Sequence, residues 1–517
     1  MQAKENTGPN EPGGGAEPLG LRTDTLATSV AVLLTVTVIQ RGIGFGRGVL
    51  FCRWLDPHEL GQWELACSFL LLAAPLAVLG LPGSFGRYVE HYRQRGQLRT
   101  FLRRTAIWTA SFGALAVALV IVAAPHFSRL IFGAADTTTL VFLMAGSLGA
   151  IILHHSLEAL LAALRMFRVV SLLQFCHSVV FAGTSIALLL LWRMGPAGIV
   201  IAYGAASLLA AAGALLKIRS ALRPLPAREA PLPRRAFWLK LLQFSVWLWL
   251  TNLLFNLFLV VDRYMIVHYS GLGVAEAIAQ VGQYHSSRVI PLLIVSVVEL
   301  VASMITPYLS CDWEAGRRDL VGRRLNLVLK LVGFGTLLAS VAILWLAPLL
   351  FDVAFGGKYQ RGLAILPWTL CYCSLIGILS VGQNYLWCAE KARWCSLPLV
   401  VGLAGNVCLN LVLLPRLGLL GAVLATAVAN LAALILTLLL SRLAGMAVDR
   451  ATWLLAVAPV AVGCGLIPAA VVALALLVAA ARTDWLLDRD EKRQLAGALA
   501  GYVARMTRSH RRAATDG

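Results

Sequence analysis

Charge is what this sequence has least of. Only 13% of its 517 residues are charged while 59% are hydrophobic, against roughly 25% charged in soluble domains. That excludes a water-soluble globular enzyme. Acidic residues are scarcest, 25 against 44 Lys and Arg, which gives a net charge of +19. In a chain with a mean hydropathy of +0.79, such an excess is explained first by loops held on the cytoplasmic face of a membrane, so nucleic acid is not an expected partner. The ten cysteines show neither paired zinc spacing nor a disulfide framework, and most lie in apolar segments, where the thiol is a small, soft hydrophobe. A phosphate loop is missing too. Phe355-Gly356-Gly357-Lys358-Tyr359 lacks the first glycine at the required spacing and has Tyr where Ser or Thr would bind magnesium. No cofactor and no metal is expected. No connection between apolar segments is long enough for a catalytic domain, so the chain reads as a non-enzyme.

What is present is a succession of apolar runs at about 26–51, 62–81, 105–124, 138–163, 170–192, 196–216, 241–268, 288–309, 325–350, 362–388, 395–414 and 418–441. Each is long enough for the ~20 residues that a helical span requires. Residues 1–24, polar and rich in Gly and Pro, are expected to be a disordered cytoplasmic N-terminus. The connections alternate in basic content. One set holds Arg87 to Arg104, Arg165 and Arg168, the run from Lys217 to Lys240, Arg317 to Arg324, and Arg442 with Arg450; the other set is poor in basic residues. The positive-inside rule then places both termini in the cytoplasm. Residues 451–484 are apolar but broken by Pro459, Gly463, Gly465 and Pro468. An even number of crossings keeps the basic tail, 485–517, inside, so we read two short helices folding back and about fourteen spans. Thirteen spans, or twelve plus a re-entrant hairpin, are the alternatives. From Trp485 to about Met506 the pattern is that of an interfacial amphipathic helix.

The two halves repeat. Leu60-Gly61-Gln62-Trp63 returns as Val281-Gly282-Gln283-Tyr284, Arg103-Arg104 as Arg323-Arg324, and Ala124-Pro125 with Phe132-Gly133 as Ala347-Pro348 with Phe355-Gly356. Arg168 with Ser171 matches Arg393 with Ser396, and Arg193-Met-Gly195 matches Arg416-Leu-Gly418. All recur in the same order at a spacing of about 220 residues, the internal symmetry of transporters. Six spans per repeat is an even number, so the repeats are parallel. The expected fold is an all-α polytopic membrane protein of two six-helix repeats around a central cavity: an N-lobe at 25–216, a cytoplasmic linker at 217–240, a C-lobe at 241–442 and C-terminal helices.

Three stretches carry a family resemblance. Asn406-Val-Cys-Leu-Asn410 through Pro415, Gly418, Gly421 and Thr426, and Asp262-Arg263 through Gly282-Gln-Tyr284, resemble the polysaccharide (O-antigen type) flippase branch of the multidrug/oligosaccharidyl-lipid/polysaccharide exporter superfamily. Arg41-Gly-Ile-Gly44-Phe45-Gly-Arg47 is similar to the first helix of the related lipid II flippases, where two arginines belong to a cationic, diphosphate-binding cavity. The resemblance implies an inward/outward-rocking transporter of undecaprenyl-diphosphate-linked sugars in a bacterial inner membrane. Its implied partners are the lipid-linked oligosaccharide, the bilayer and loosely associated polysaccharide synthesis enzymes, with the carrier itself a monomer.

Ionised side chains at mid-bilayer normally face a wet cavity or a partner. Arg41 lies about fifteen residues, or ~22 Å, into its helix, with Arg47 six residues on, and both suit a diphosphate because Arg offers fixed, forked donors. A regular helix turns them about 120° apart, so a shared cavity asks the glycines between them to loosen the helix. Arg263 and Arg288 complete the candidate cavity cations. Glu299, Glu158 and Asp262 are candidate coupling or pairing carboxylates, with a local salt bridge as the other reading. Asn252, Asn256, Gln383 and Asn384 are candidate sugar contacts, as are Asn406 and Asn410, and helix-to-helix polar contacts explain them as well. His154, His155 and His177 are candidates for the cavity wall. The expected function is flipping a polyprenyl-diphosphate-linked oligosaccharide from the cytoplasmic to the outer leaflet. The alternatives are export of drugs or other lipids, which expects an anionic cavity, a membrane glycosyltransferase or polymerase, which expects a large external loop, and a non-transporting scaffold.

Overall fold

The computed structural model describes residues 26–223, 233–493 and 497, and the expectations for 1–24, for the centre of the linker and for the end of the tail lie outside these residues. The first half comprises α1 (Leu26–Trp54), α2 (Pro57–Ala77), α3 (Phe85–Gln94), α4 (Leu98–Val122), α5 (Ala124–Phe132), α6 (Thr138–Ala163), α7 (Phe167–Leu190) and α8 (Gly195–Leu222). The second comprises α9 (Arg234–Tyr269), α10 (Val274–Arg288), α11 (Pro291–Glu314), α12 (Arg318–Leu349), α13 (Gln360–Gly382), α14 (Asn384–Cys388), α15 (Ala392–Leu417) and α16 (Leu419–Leu443). Three shorter helices follow: α17 (Arg450–Val457), α18 (Val460–Gly463) and α19 (Leu466–Arg482). Among the described residues, 11 helical segments are long and apolar enough to cross a membrane; α1 and the shorter apolar stretches Arg450–Gly463 and Leu466–Arg482 accompany them.

The repeat is visible in backbone geometry as well as in sequence. Chain reversals that need a left-handed residue come in matched pairs: Gly96 with Gly316, Gly133 with Gly356, Arg165 with Glu390, and Gly195 with Gly418. Left-handed φ is unfavourable for L side chains, so its recurrence at Arg165 and Glu390 marks the same turn built twice. Where the halves meet, α2 crosses α10 with no room for a side chain. A Cβ on Gly61 would lie 1.9 Å from the Ile278 carbonyl oxygen, and one on Gly282 would lie 1.9 Å from that of Pro57. These are the same contact related by two-fold symmetry, because Pro57 and Gly61 correspond to Ile278 and Gly282.

Several expected boundaries shift. The second span begins at Pro57, earlier than 62, because Asp56 and Glu59 form a reciprocal capping box there; Gly61-Gln62-Trp63 is therefore inside a helix. The stretch after the seventh span, expected as a loop, is the helix α10, and Arg288 closes it instead of opening the eighth span. Much of the expected linker is helical: α8 reaches Leu222 and α9 starts at Arg234. Trp485–Asp488 is not helical. Asp488 and Glu491 exchange capping hydrogen bonds, so the tail helix starts after Asp488.

The segment after α16 leaves and returns. Lys330 of α12 binds Asp449 at 2.7 Å, before α17, and Glu491 at 2.9 Å, after α19. One buried ammonium thus ties both ends of the excursion to the same level of the bundle. Between them α17 lies against Gly333, whose Cβ would meet the Leu455 carbonyl at 2.2 Å, and the chain reverses at Gly465, with φ +102°. Burial alone raises the Asp449 carboxyl, but hydrogen bonds from Lys330 and Thr452 more than offset it and hold it below the ordinary aspartate range. A depressed carboxylate stabilises the fold above its unfolded pKa, about 3.9, and the contribution is lost as pH falls through the folded value. Hydrogen exchange at 484–493 is expected to stay slow from pH 7 to 5 and to accelerate below about pH 4; acceleration already at pH 5 would contradict this anchor.

Candidate functional site

Between the halves lies a cavity of about 660 Å³, bounded by α1, α2, α6, α7, α8, α10 and α11. Its lining runs from Phe51 and Trp63 at one end to Thr37, Glu158 and Gln174, near the end where the Arg-rich connections gather. Arg41 and Arg47 both face it. The expected loosening of α1 does not occur, since α1 is helical throughout. Both arginines reach one space because that space wraps around α1, where Gly44 and Gly48 line it without side chains.

The two arginines differ. Arg41 pairs with Glu299 of α11 at 3.3 Å across the mouth of the α1–α11 slot, both side chains half exposed. Arg47 has no carboxylate partner among the described residues. Its guanidinium carbon stands 4.0 Å from the centroid of the Phe181 ring and 5.9 Å from that of Phe51. Stacking on aromatic faces fixes the plane of the guanidinium and leaves its N–H donors available. Opposite, His154 and His177 stack with centroids 4.9 Å apart. Glu158 lies 3.5 Å from His154 Nε2 and accepts from Gln174, while His177 meets Ser207 at 3.2 Å. His155 and His285 complete a wall of four histidines.

Arg263 and Arg288 do not line this cavity, contrary to expectation. Both are buried on Glu64 of α2: Arg263 Nε lies 2.5 Å and Arg288 Nη1 3.2 Å from Glu64 Oε1, and His285 Nδ1 lies 2.6 Å from Oε2. Buried guanidinium groups need a counter-charge, and a single carboxylate from the other half supplies it. Glu64 and His285 are the functional candidates that sequence reasoning missed. The repeat held the signal, because they follow Trp63 and Tyr284 and so occupy equivalent positions. Asp262 also turns away from the cavity. It accepts from Tyr284 Oη at 3.0 Å, Asn410 Nδ2 at 3.1 Å and Thr426 Oγ1 at 2.7 Å, in a buried knot of α9, α10, α15 and α16. Asn406 and Asn410 belong to that knot and not to a sugar site. Asn384 is buried against Thr306, whose hydroxyl donates to it at 2.8 Å, and Gln383 begins the same turn; neither lines the cavity. Asn252 and Asn256 border a neighbouring compartment. Among the described residues no cluster of three His, Cys, Asp or Glu side chains is placed to hold a metal.

The other end of the cavity is shut. Arg53 donates to the Val353 carbonyl at 2.8 Å, Lys358 to the Arg53 and Leu55 carbonyls at 2.9 and 3.3 Å, and Tyr359 to Leu55 at 3.1 Å. Lys358, the lysine of the degenerate phosphate loop, is thus a latch between halves. Each of its bonds stabilises by about 1 kcal/mol, so Lys358→Ala is expected to raise the open population by several-fold to tenfold. Maleimide labelling of Cys52, fully buried beneath this latch, should accelerate accordingly; an unchanged rate removes Lys358 from the closure.

Two halves of parallel repeated helices around a polar cavity define a fold known from transporters. The chain superposes on the lipid II flippase MurJ in an inward closed conformation with a TM-score of 0.63 at 16% identity, covering 86% of this chain and 97% of that one. An inward-facing MATE family multidrug resistance transporter of the MOP superfamily gives 0.65 at 15%, covering 80% and 97%. A MOP superfamily transporter from Pyrococcus furiosus, described as having a binding pocket of reversed polarity, gives 0.58 at 11%, covering 81% and 94%. No curated protein matches the chain significantly. Residues 26–311 match the family of polysaccharide biosynthesis proteins, and the chain belongs to that family.

Proposed function

We propose that this protein flips a polyprenyl-diphosphate-linked oligosaccharide, a precursor of cell-surface polysaccharide, across a bacterial inner membrane. Arg47 carries the reading. It is a guanidinium without a carboxylate, held between aromatic rings in a cavity large enough for a diphosphate and part of a sugar chain. Away from bulk water a diphosphate needs such a forked, charge-assisted donor. Arg41, freed from Glu299, supplies a second cation. In this reading the Arg-rich end is cytoplasmic, so the cavity faces inward and the Arg53–Lys358 latch closes the outer side. Opening the latch while the halves close around the Arg-rich end then releases the head group outside.

Export of cationic drugs is disfavoured because the one unpartnered charge facing the cavity is positive. The test is transbilayer movement of a fluorescent undecaprenyl-diphosphate oligosaccharide in proteoliposomes. Purified protein is expected to accelerate it over protein-free vesicles, and no acceleration with glycans from any polysaccharide pathway would refute the reading.

A further inference from the structure

The central cavity does not end at its histidine wall. His155 and Tyr203 also border a second compartment of about 390 Å³ between α2, α6 and α9. That compartment in turn shares Ile152 and Ser156 with a groove of about 290 Å³ between α4 and α6. The three form one row, and polarity falls along it. The first holds arginines, histidines and a glutamate. The second keeps two asparagines, but Leu70, Ala74, Val78 and Ile151 are typical of its walls. The third has no charged lining residue, and its Thr105 hydroxyl is turned back onto the Phe101 and Leu102 carbonyls.

Small residues at a helix crossing ordinarily let the helices close up. Here Ala106, Ala110, Gly113 and Ala114 of α4 and Gly149 of α6 line a space that stays open. Beside the groove Ile107, Leu115 and Leu153 are exposed, so it borders the lipid-facing surface of the N-terminal half.

We infer that this row is the path of the substrate's isoprenoid chain: the diphosphate stays at Arg47, the chain passes His155 and Tyr203, and its distal units lie in the α4–α6 groove. The inference rests on the flippase reading above. The other side exit, the slot between α1 and α11, is bridged by the Arg41–Glu299 pair. An apolar chain leaving there would lie against two charges, whereas the α4–α6 route presents none. The occupant of the groove is therefore the tail of the carried molecule.

Ser156 sits at the joint between the second and third compartments, buried and with its hydroxyl unpartnered, so replacing it removes no hydrogen bond. The experiment measures binding of two ligands with the same diphosphate-linked disaccharide, one on an undecaprenyl and one on a ten-carbon isoprenoid chain, to purified full-length protein in detergent. Wild type is expected to prefer the long chain. Ser156→Phe should weaken the long-chain ligand at least tenfold, to the level of the short one, whose affinity stays unchanged. Equal loss for both ligands, or no loss for the long one, overturns the route. If Ser156→Phe does not fold, Ala110→Phe on the α4 wall applies the same test. Wild type that binds neither ligand refutes the flippase reading itself. A long-chain preference that survives blocking of the groove, with only phosphatidylglycerol displaced, shows an ordinary lipid site and overturns the inference alone.

Discussion

Glu64→Ala is expected to destabilise the protein by about 3–5 kcal/mol, the range for removing one partner of a buried ion pair. The size follows from what remains: two guanidinium groups and an imidazole, gathered from α9 and α10 around a carboxylate that is no longer there. None of the three can reach bulk water without moving its helix. Thermal unfolding in detergent reads the effect directly. Glu64→Gln keeps the shape and some hydrogen bonding but removes the charge, so it should fall between Ala and wild type. Because replacing a buried pair by apolar groups is often tolerated, Glu64→Met combined with Arg288→Met should recover part of the loss. If Glu64→Ala melts with wild type, the cluster is not the junction described.

Arg47→Ala should weaken binding of a diphosphate-linked sugar roughly tenfold to a hundredfold, the equivalent of the ~1.5–3 kcal/mol of a hydrogen bond to a charged group. Stability should change little, because Arg47 balances no buried carboxylate. Arg47→Lys retains a charge but loses the fork and the flat face stacked on Phe181, so it should recover only part of the affinity. The wild-type interaction should also weaken as salt rises, and the variant should lose much of that dependence. Calorimetry on the same ligand at two salt concentrations measures both. Equal affinity of wild type and Arg47→Ala would move the anion site elsewhere.

The parts legible in the sequence are those set by local rules. The repeat could be read because reversals such as Gly133 and Gly356 need particular backbone freedom wherever they occur. Arg47 could be read because a lone charge in an apolar helix has few places to face. Arg263 and Arg288 could not be placed, since whether a buried arginine meets a cavity or a carboxylate depends on which helix packs beside it. Glu64 was hidden by a helix boundary: with the span started at 62 it falls at an interface, and only the cap at Asp56 moves it inside. The asparagines illustrate the same limit, because those around Asp262 and those beside the second compartment have identical local surroundings in the sequence and different partners in space.

The reciprocal approach of Gly61 and Gly282 bears on how the halves can move. Two backbones that touch without side chains between them have nothing to interlock, so the crossing of α2 and α10 works as a smooth bearing whose axis is fixed by main-chain atoms. Rolling about it keeps the contact; sliding along it does not. A single methyl group on either helix would lodge in that bearing, and symmetry doubles the exposure, since each half presents a glycine to the other's carbonyl. The two copies of the repeat have therefore not been free to diverge at this point.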